Sequence, residues 1–271
     1  MKKFYIILFT AMLFNVQSFS QQTRVGFDIW SFKKLGDSSY MPAQVPGTVH
    51  TDLLANGVIE YPFYRDNEKN VQWIEKEDWA YRTEFTIEDI NDEARIDLVF
   101  KGLDTYAQVL INGNRILNAD NMFIEYRISN FHQYLVKGNN ILEIVFRSPL
   151  AIEDSLAKAF YTETGISNLP VKERIFTRKA AYHYGWDWSP RFVTCGIWRD
   201  VYMEVYKKAR INNVLIKQSL SIDYNNVVLD FETDIYSETD NIYGIEIVNK
   251  NDSTVYKFLS GDKKSIIIEN P

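Results

Sequence analysis

Cysteine is almost missing from this chain. Cys195 is the only one in 271 residues, so no disulfide can close within it, and a lone thiol of this kind reads as a small buried hydrophobe. Histidine is also scarce. His50, His132 and His183 lie far apart and match no zinc-ligand spacing, so neither a metal site nor a cofactor is expected, although a calcium ion held by scattered oxygens is left open. Excess positive charge is absent: 30 Lys and Arg stand against 36 Asp and Glu, for a formal net charge of -6. Such an acidic balance argues against nucleic acid and anionic membranes as partners. Beyond the first twenty residues no apolar run is long enough to span a bilayer, so no membrane anchor is expected.

Those first twenty residues differ from the rest. Lys2 and Lys3 precede an apolar run from Phe4 to Phe14, and Ser18-Phe19-Ser20 supplies a small-x-small cleavage pattern. This reads as a secretory signal peptide, with Gln21 as the mature N-terminus and a soluble product in the periplasm or outside the cell. The whole chain is 46% hydrophobic and 15% aromatic, ample for one large core or two smaller ones.

The order of elements points to an all-β protein. Residues 25–32 alternate as a first strand, and Val45-Pro46-Gly47-Thr48 is a turn followed by a short helix through Leu53 and Leu54 that Asn56-Gly57 should stop. Residues 64–68 read as a solvated polar loop. From Trp79 onward the segments 81–87, 96–100, 107–111, 115–117, 123–128 and 141–146 are short and rich in β-branched or aromatic side chains. Asn112-Gly113 is a hairpin signal, because both residues tolerate the positive φ of a tight turn. After Ser148-Pro149 comes a helical spacing over 151–159, and 197–206 alternates as the strand that should close a β-sandwich. Lys207-Lys208-Ala209-Arg210 marks a boundary. Beyond it five further strands are expected, over 214–216, 227–235, 242–248, 254–259 and 265–268, short of the roughly seven of an immunoglobulin-like unit.

One stretch stands apart chemically. Ala181-Tyr182-His183-Tyr184-Gly185-Trp186-Asp187-Trp188-Ser189-Pro190-Arg191 gathers two tryptophans, two tyrosines, a histidine and an arginine around one carboxylate. Aromatic faces cover the apolar side of a pyranose while a carboxylate accepts from adjacent hydroxyls and a guanidinium donates. A core strand with one aromatic face fits the same composition. In a regular strand Asp187 points away from both Trp186 and Trp188, so joint contact with one ligand requires irregular backbone, for which Gly185 and Pro190 provide.

Several stretches taken together, in order and over about residues 25–208, resemble the N-terminal part of a β-mannosidase of glycoside hydrolase family 2. They are the run Val45 to Leu54, Pro62-Phe63-Tyr64-Arg65-Asp66-Asn67-Glu68, Val71-Gln72-Trp73-Ile74-Glu75, Asp78-Trp79-Ala80-Tyr81-Arg82, Gly102-Leu103-Asp104-Thr105-Tyr106-Ala107, Ile111-Asn112-Gly113, Gly185 to Pro190 and Gly196-Ile197-Trp198-Arg199. The resemblance implies a signal peptide (1–20), a galactose-binding-like jelly-roll sandwich (21–208) and the start of an immunoglobulin-like sandwich (209–271). The (β/α)₈ barrel that carries both catalytic glutamates of the family is missing from this stretch, so no catalytic residue is assigned here and the chain alone is expected to be inactive. The implied reaction is retaining removal of terminal β-mannose, with β-mannosides or manno-oligosaccharides as ligands. Trp186 and Asp187 are implied as substrate-binding residues, with Asp66 or Asn67 near the same pocket and Trp188 left for core packing. Ser189 departs from the glycine common at its position. A free-standing carbohydrate-binding module and a fragment of a related β-galactosidase or β-glucuronidase are the alternatives.

Overall fold

The computed structural model describes residues 23–88, 95–165, 174–222, 225–237 and 240–269; the leader and its cleavage site lie outside them. The chain divides between Lys207 and Lys208 into two compact units. Strands of the first are β1 (Thr23–Gly26), β2 (Trp30–Lys34), β3 (Met41–Ala43), β4 (Trp79–Ile87), β5 (Arg95–Phe100), β6 (Ala107–Ile111), β7 (Asn114–Ala119), β8 (Tyr126–Ile128), β9 (Gly138–Phe146) and β10 (Val201–Tyr206). They form two antiparallel sheets, ordered β3-β2-β4-β9-β6-β7 and β1-β10-β5-β8, whose inner faces enclose the core as in a β-sandwich.

Period-two burial explains which side chains meet. Leu142, Ile144 and Phe146 from β9 and Ala107, Val109 and Ile111 from β6 all point inward. Around them Phe32 stacks on Trp79 at 6.0 Å and Tyr81 meets Phe146 edge-on at 5.7 Å. Asn112 and Gly113 adopt φ of 49° and 79° at the β6–β7 turn, the left-handed values that sequence requires of a two-residue hairpin.

Four sequence readings need correction. The segment 25–32 is not one strand: β1 pairs with β10 and β2 pairs with β4, so the chain crosses between sheets at residues 27–29. The closing strand starts at Val201, because Asp104, Gly47 and Val49 take the backbone groups of 195–197 instead. In the polar loop a single helical turn, α2 (Asn67–Asn70), follows α1 (Val49–Ala55). The helix α3 (Pro149–Thr164) is longer than its apolar spacing indicates, with Ser148 capping it and Gly165 at φ 68° ending it.

The second unit has the sheet β11 (Ala209–Leu220), β12 (Asn226–Ser237) and β15 (Lys263–Glu269), and a hairpin of β13 (Gly244–Val248) and β14 (Val255–Leu259). These are the five anticipated strands, longer at most ends.

Asp52 joins α1 to the core. Its carboxylate accepts from Tyr81 Oη at 2.7 Å and from the Gln44 backbone N–H at 2.9 Å, and burial raises its pKa above the ordinary value. Tyr81→Phe removes one of these donors from a buried acceptor and is expected to cost about 1–3 kcal/mol, read as a lower urea midpoint with an unchanged slope.

Candidate functional site

The aromatic stretch is a loop and not a core strand. A 3₁₀ turn, Ala181–Tyr184, ends at Gly185 with φ 92°, and the Trp186 and Ser189 backbones then exchange two hydrogen bonds of 3.1 and 3.2 Å. Asp187 and Trp188 therefore sit at the tip of a tight turn. The turn brings the two indoles together edge to face, 6.0 Å apart. Asp187 is exposed, Trp186 is 50% exposed and Trp188 is 82% exposed. Trp188 thus does not pack in the core: the turn puts it at the outermost point of the loop, where no sheet can cover it.

Arg191 fastens the base of the loop. Its backbone N–H donates to Glu68 Oε1 at 2.7 Å, its guanidinium donates to Glu75 Oε1 at 2.9 Å and to the Tyr184 carbonyl at 3.3 Å, and its carbonyl accepts from Gln72 Nε2 at 2.8 Å. On the far side Tyr184 donates its phenol to Glu153 of α3. Burial and that carboxylate push the phenol far above its ordinary pKa, so it remains a donor.

These bonds carry the segment 66–75 to the loop. Asp66 pairs with Lys69 at 3.2 Å on the surface, and Asn67 Nδ2 donates to the Tyr61 carbonyl at 3.0 Å. Both neighbour Glu68, which touches Arg191. They do not line the cleft beside the loop, and neither do Trp186 and Asp187. That cleft, about 330 Å³, is lined by His50, Phe63, Tyr182, His183, Ser189 and Pro190 among others, with Phe63 edge-on to Phe192 at 5.3 Å.

Beneath the cleft lies a buried ion pair. Lys179 Nζ, fully inaccessible, donates to Asp104 Oδ1 at 2.5 Å and to the Thr194 carbonyl at 2.6 Å. His183 Nδ1 stands 3.6 Å from the other Asp104 oxygen, and His50 Nδ1 is 2.9 Å from Thr194 Oγ1. Asp104 and Gly196 exchange backbone hydrogen bonds of 3.0 Å, and a Cβ on Gly196 would lie 2.6 Å from the Gly47 carbonyl oxygen. Glycine at 196 lets the α1 segment approach this closely. Burial first, then the Lys179 ammonium, lowers His50 to about 4, and the same two causes lower His183 to about 4 against the weaker upward pull of Asp104. Both imidazoles are neutral at pH 7.

None of these buried partners is legible as a functional residue. Lys179 sits in Arg178-Lys179-Ala180-Ala181 with no flanking signal, and Asp104 stands out only as part of a family-like motif. Among the described residues no group of three or more His, Cys, Asp or Glu side chains is placed to hold a metal ion.

An all-β sandwich with an exposed aromatic and carboxylate loop has the features of a carbohydrate-facing domain. The model of the glycosyl hydrolase 2 galactose-binding domain-like family matches residues 30–199, and the chain belongs to that family. It is 39% identical over 202 residues to β-mannosidase B of Aspergillus terreus, covering 72% of this chain and 24% of that protein. With β-mannosidase B of Emericella nidulans it shares 36% over 219 residues, covering 79% and 26%. The solved β-D-mannosidase of Dictyoglomus thermophilum superposes with a TM-score of 0.77 at 34% identity, over 93% of this chain and 31% of that one. An exo-chitosanase of Amycolatopsis orientalis, at 18% identity and a TM-score of 0.65, shares the fold. The chain spans about a quarter of the length of the curated relatives it matches.

Two predictions concern the buried cluster. Lys179→Met strands the Asp104 carboxylate and is expected to cost about 3–5 kcal/mol, with part regained on adding Asp104→Asn; chemical denaturation of the two variants checks this. An unfolded imidazole titrates near 6.5, so between about pH 6.5 and 4 the unfolded chain binds protons that folded His50 and His183 refuse. Stability should be full above that window and fall as pH drops through it, by up to roughly 3 kcal/mol for each imidazole. His50→Gln and His183→Gln should flatten the profile of urea midpoint against pH.

Proposed function

We propose that this chain is the leading portion of an exported exo-β-mannosidase, in which it supplies part of the sugar pocket and none of the catalytic carboxylates. The observation that carries this reading is the coincidence of two things. The relatives matched at 36–39% identity are β-mannosidases over this same region, and the most sugar-like stretch of the chain is an outward turn and not core. In this reading Asp187 accepts hydrogen bonds from mannose hydroxyls and Trp186 forms a wall. Asp66 and Asn67 approach the same pocket through the Glu68–Arg191 contact.

Retaining hydrolysis needs an acid/base and a nucleophilic carboxylate about 5–5.5 Å apart. No such pair is assigned among these residues, and the described residues form no (β/α)₈ barrel, so both glutamates are placed in a further barrel domain. The ligands are β-mannosides or manno-oligosaccharides, and the leader at 1–20 directs the protein to the periplasm or beyond.

In the longer protein Asp187→Ala should lower kcat/KM on an aryl β-mannoside by roughly 10- to 150-fold, the worth of one charge-assisted hydrogen bond. An unchanged value removes Asp187 from the pocket, and faster hydrolysis of the aryl β-galactoside than of the mannoside assigns the parent to a different sugar. N-terminal sequencing of the secreted protein should begin at Gln21.

A further inference from the structure

Both main-chain polar groups of Arg191 and its guanidinium are held by one short segment. The backbone N–H donates to Glu68 Oε1 at 2.7 Å, the carbonyl accepts from Gln72 Nε2 at 2.8 Å, and Nη2 donates to Glu75 Oε1 at 2.9 Å. Residues 68, 72 and 75 stand four and three apart, the spacing of neighbours on one helical face. The segment runs as α2 and then a 3₁₀ turn, Ile74–Lys76. Its three prongs make a seat for a single residue, and they come from the family-like runs 62–68 and 71–75.

The seat is itself fixed. Val71 and Ile74 of the same segment are buried in the core, Trp79 Nε1 donates to the Ile74 carbonyl at 3.1 Å, and Ser148 Oγ at the start of α3 donates to the Glu75 carbonyl at 2.7 Å. Above the seat the loop is closed on itself. The Phe192 N–H donates to the His183 carbonyl at 3.0 Å, Arg191 Nη1 reaches the Tyr184 carbonyl, and Arg191 Cβ lies 3.4 Å from where a Cβ on Gly185 would stand. Asp187 precedes Arg191 by four residues, inside the turn that the Trp186 and Ser189 backbones close. A shift of Arg191 therefore moves the tip.

Stability alone does not account for Glu75. Its carboxylate is 7% exposed, and a buried ion pair commonly stabilises a fold no better than apolar side chains of the same volume. What the pair supplies is direction. The planar guanidinium spans seat and loop together, with Nη2 on Glu75 and Nη1 on the Tyr184 carbonyl, a fixed geometry that an apolar contact does not impose.

We propose that Glu75, with Glu68 and Gln72, is a positioning residue for the sugar contact of Asp187, acting through Arg191. The inference rests on the reading above, in which Asp187 accepts from a mannose hydroxyl.

The test is a double-mutant cycle in the longer protein, read as kcat/KM on an aryl β-mannoside. Glu75→Ala should lower kcat/KM about tenfold or more, as displacement of a binding group by about an ångström does. Glu75→Gln keeps an acceptor at the same reach and should recover most of that loss. In an Asp187→Ala background the same Glu75→Ala change should cost less than about twofold, because the group it positions is gone. The urea midpoint should instead fall equally in both backgrounds, since Asp187 is exposed, and this contrast separates positioning from a structural role. Where Glu75→Ala does not fold, Gln72→Ala removes a neutral prong, strands no charge and completes the cycle in its place. An equal loss of kcat/KM in both backgrounds overturns the proposal and leaves Asp187 in the pocket, as does a wild-type kcat/KM for the single variant. A wild-type value for Asp187→Ala alone is the distinct failure of the pocket reading, and the proposal falls with it.

Discussion

The ammonium of Lys179, sealed from solvent, is the constraint on which the first unit's working face depends. Asp104 and the Thr194 carbonyl stand within 2.6 Å of it, and those two groups come from distant parts of the chain. Asp104 lies between β5 and β6, while Thr194 precedes the segment that binds α1 through Gly47 and Val49. One buried charge thereby fixes three connections that lie outside either sheet. The cost of desolvating it is offset only while all of them hold their places, so the contact selects one arrangement of loops over its alternatives. His183, in the 3₁₀ turn that opens the aromatic loop, places its Nδ1 3.6 Å from the same carboxylate.

From that base the loop is held on two sides. Arg191 ties it to Glu68 and Glu75, and Tyr184 ties it to Glu153 of α3. With the stem fixed in this way the tip can project Trp186, Asp187 and Trp188 outward without collapsing onto the sandwich. Exposed Tyr61, Phe63, Tyr64 and Tyr182 accompany them. Large apolar side chains grouped in solvent in this way are the kind of patch that marks an interaction or ligand surface.

The strands were readable because each is short, alternating and bounded by turn residues: Asn112-Gly113 and Asn56-Gly57 act as the sequence indicates. Where alternation misled, backbone hydrogen bonding decided. Residues 25–32 alternate as one strand, but the two halves serve different sheets, and sidedness within a sequence does not say which sheet accepts it. Trp188 misled for a related reason. The assignment of Trp188 to the core assumed extended backbone, whereas the Trp186–Ser189 hydrogen bonds make a turn whose tip has no inside. Lys179 and Asp104 were illegible as partners, and Arg191, read as a donor to a sugar, instead ties the loop to Glu75, because these pairings span 75 and more than 100 positions and no local pattern encodes them.

In the function proposed above, the 181–191 turn is the outward-facing element that recognises a terminal sugar within a larger glycosidase. The most direct measurement is a crystal structure of the longer protein with a mannose-configured inhibitor bound. The account predicts an Asp187 carboxylate oxygen within about 2.5–3.0 Å of a sugar hydroxyl, with the Trp186 indole against the ligand. An inhibitor bound with Asp187 facing bulk solvent, and the turn making no contact with it, would contradict the account.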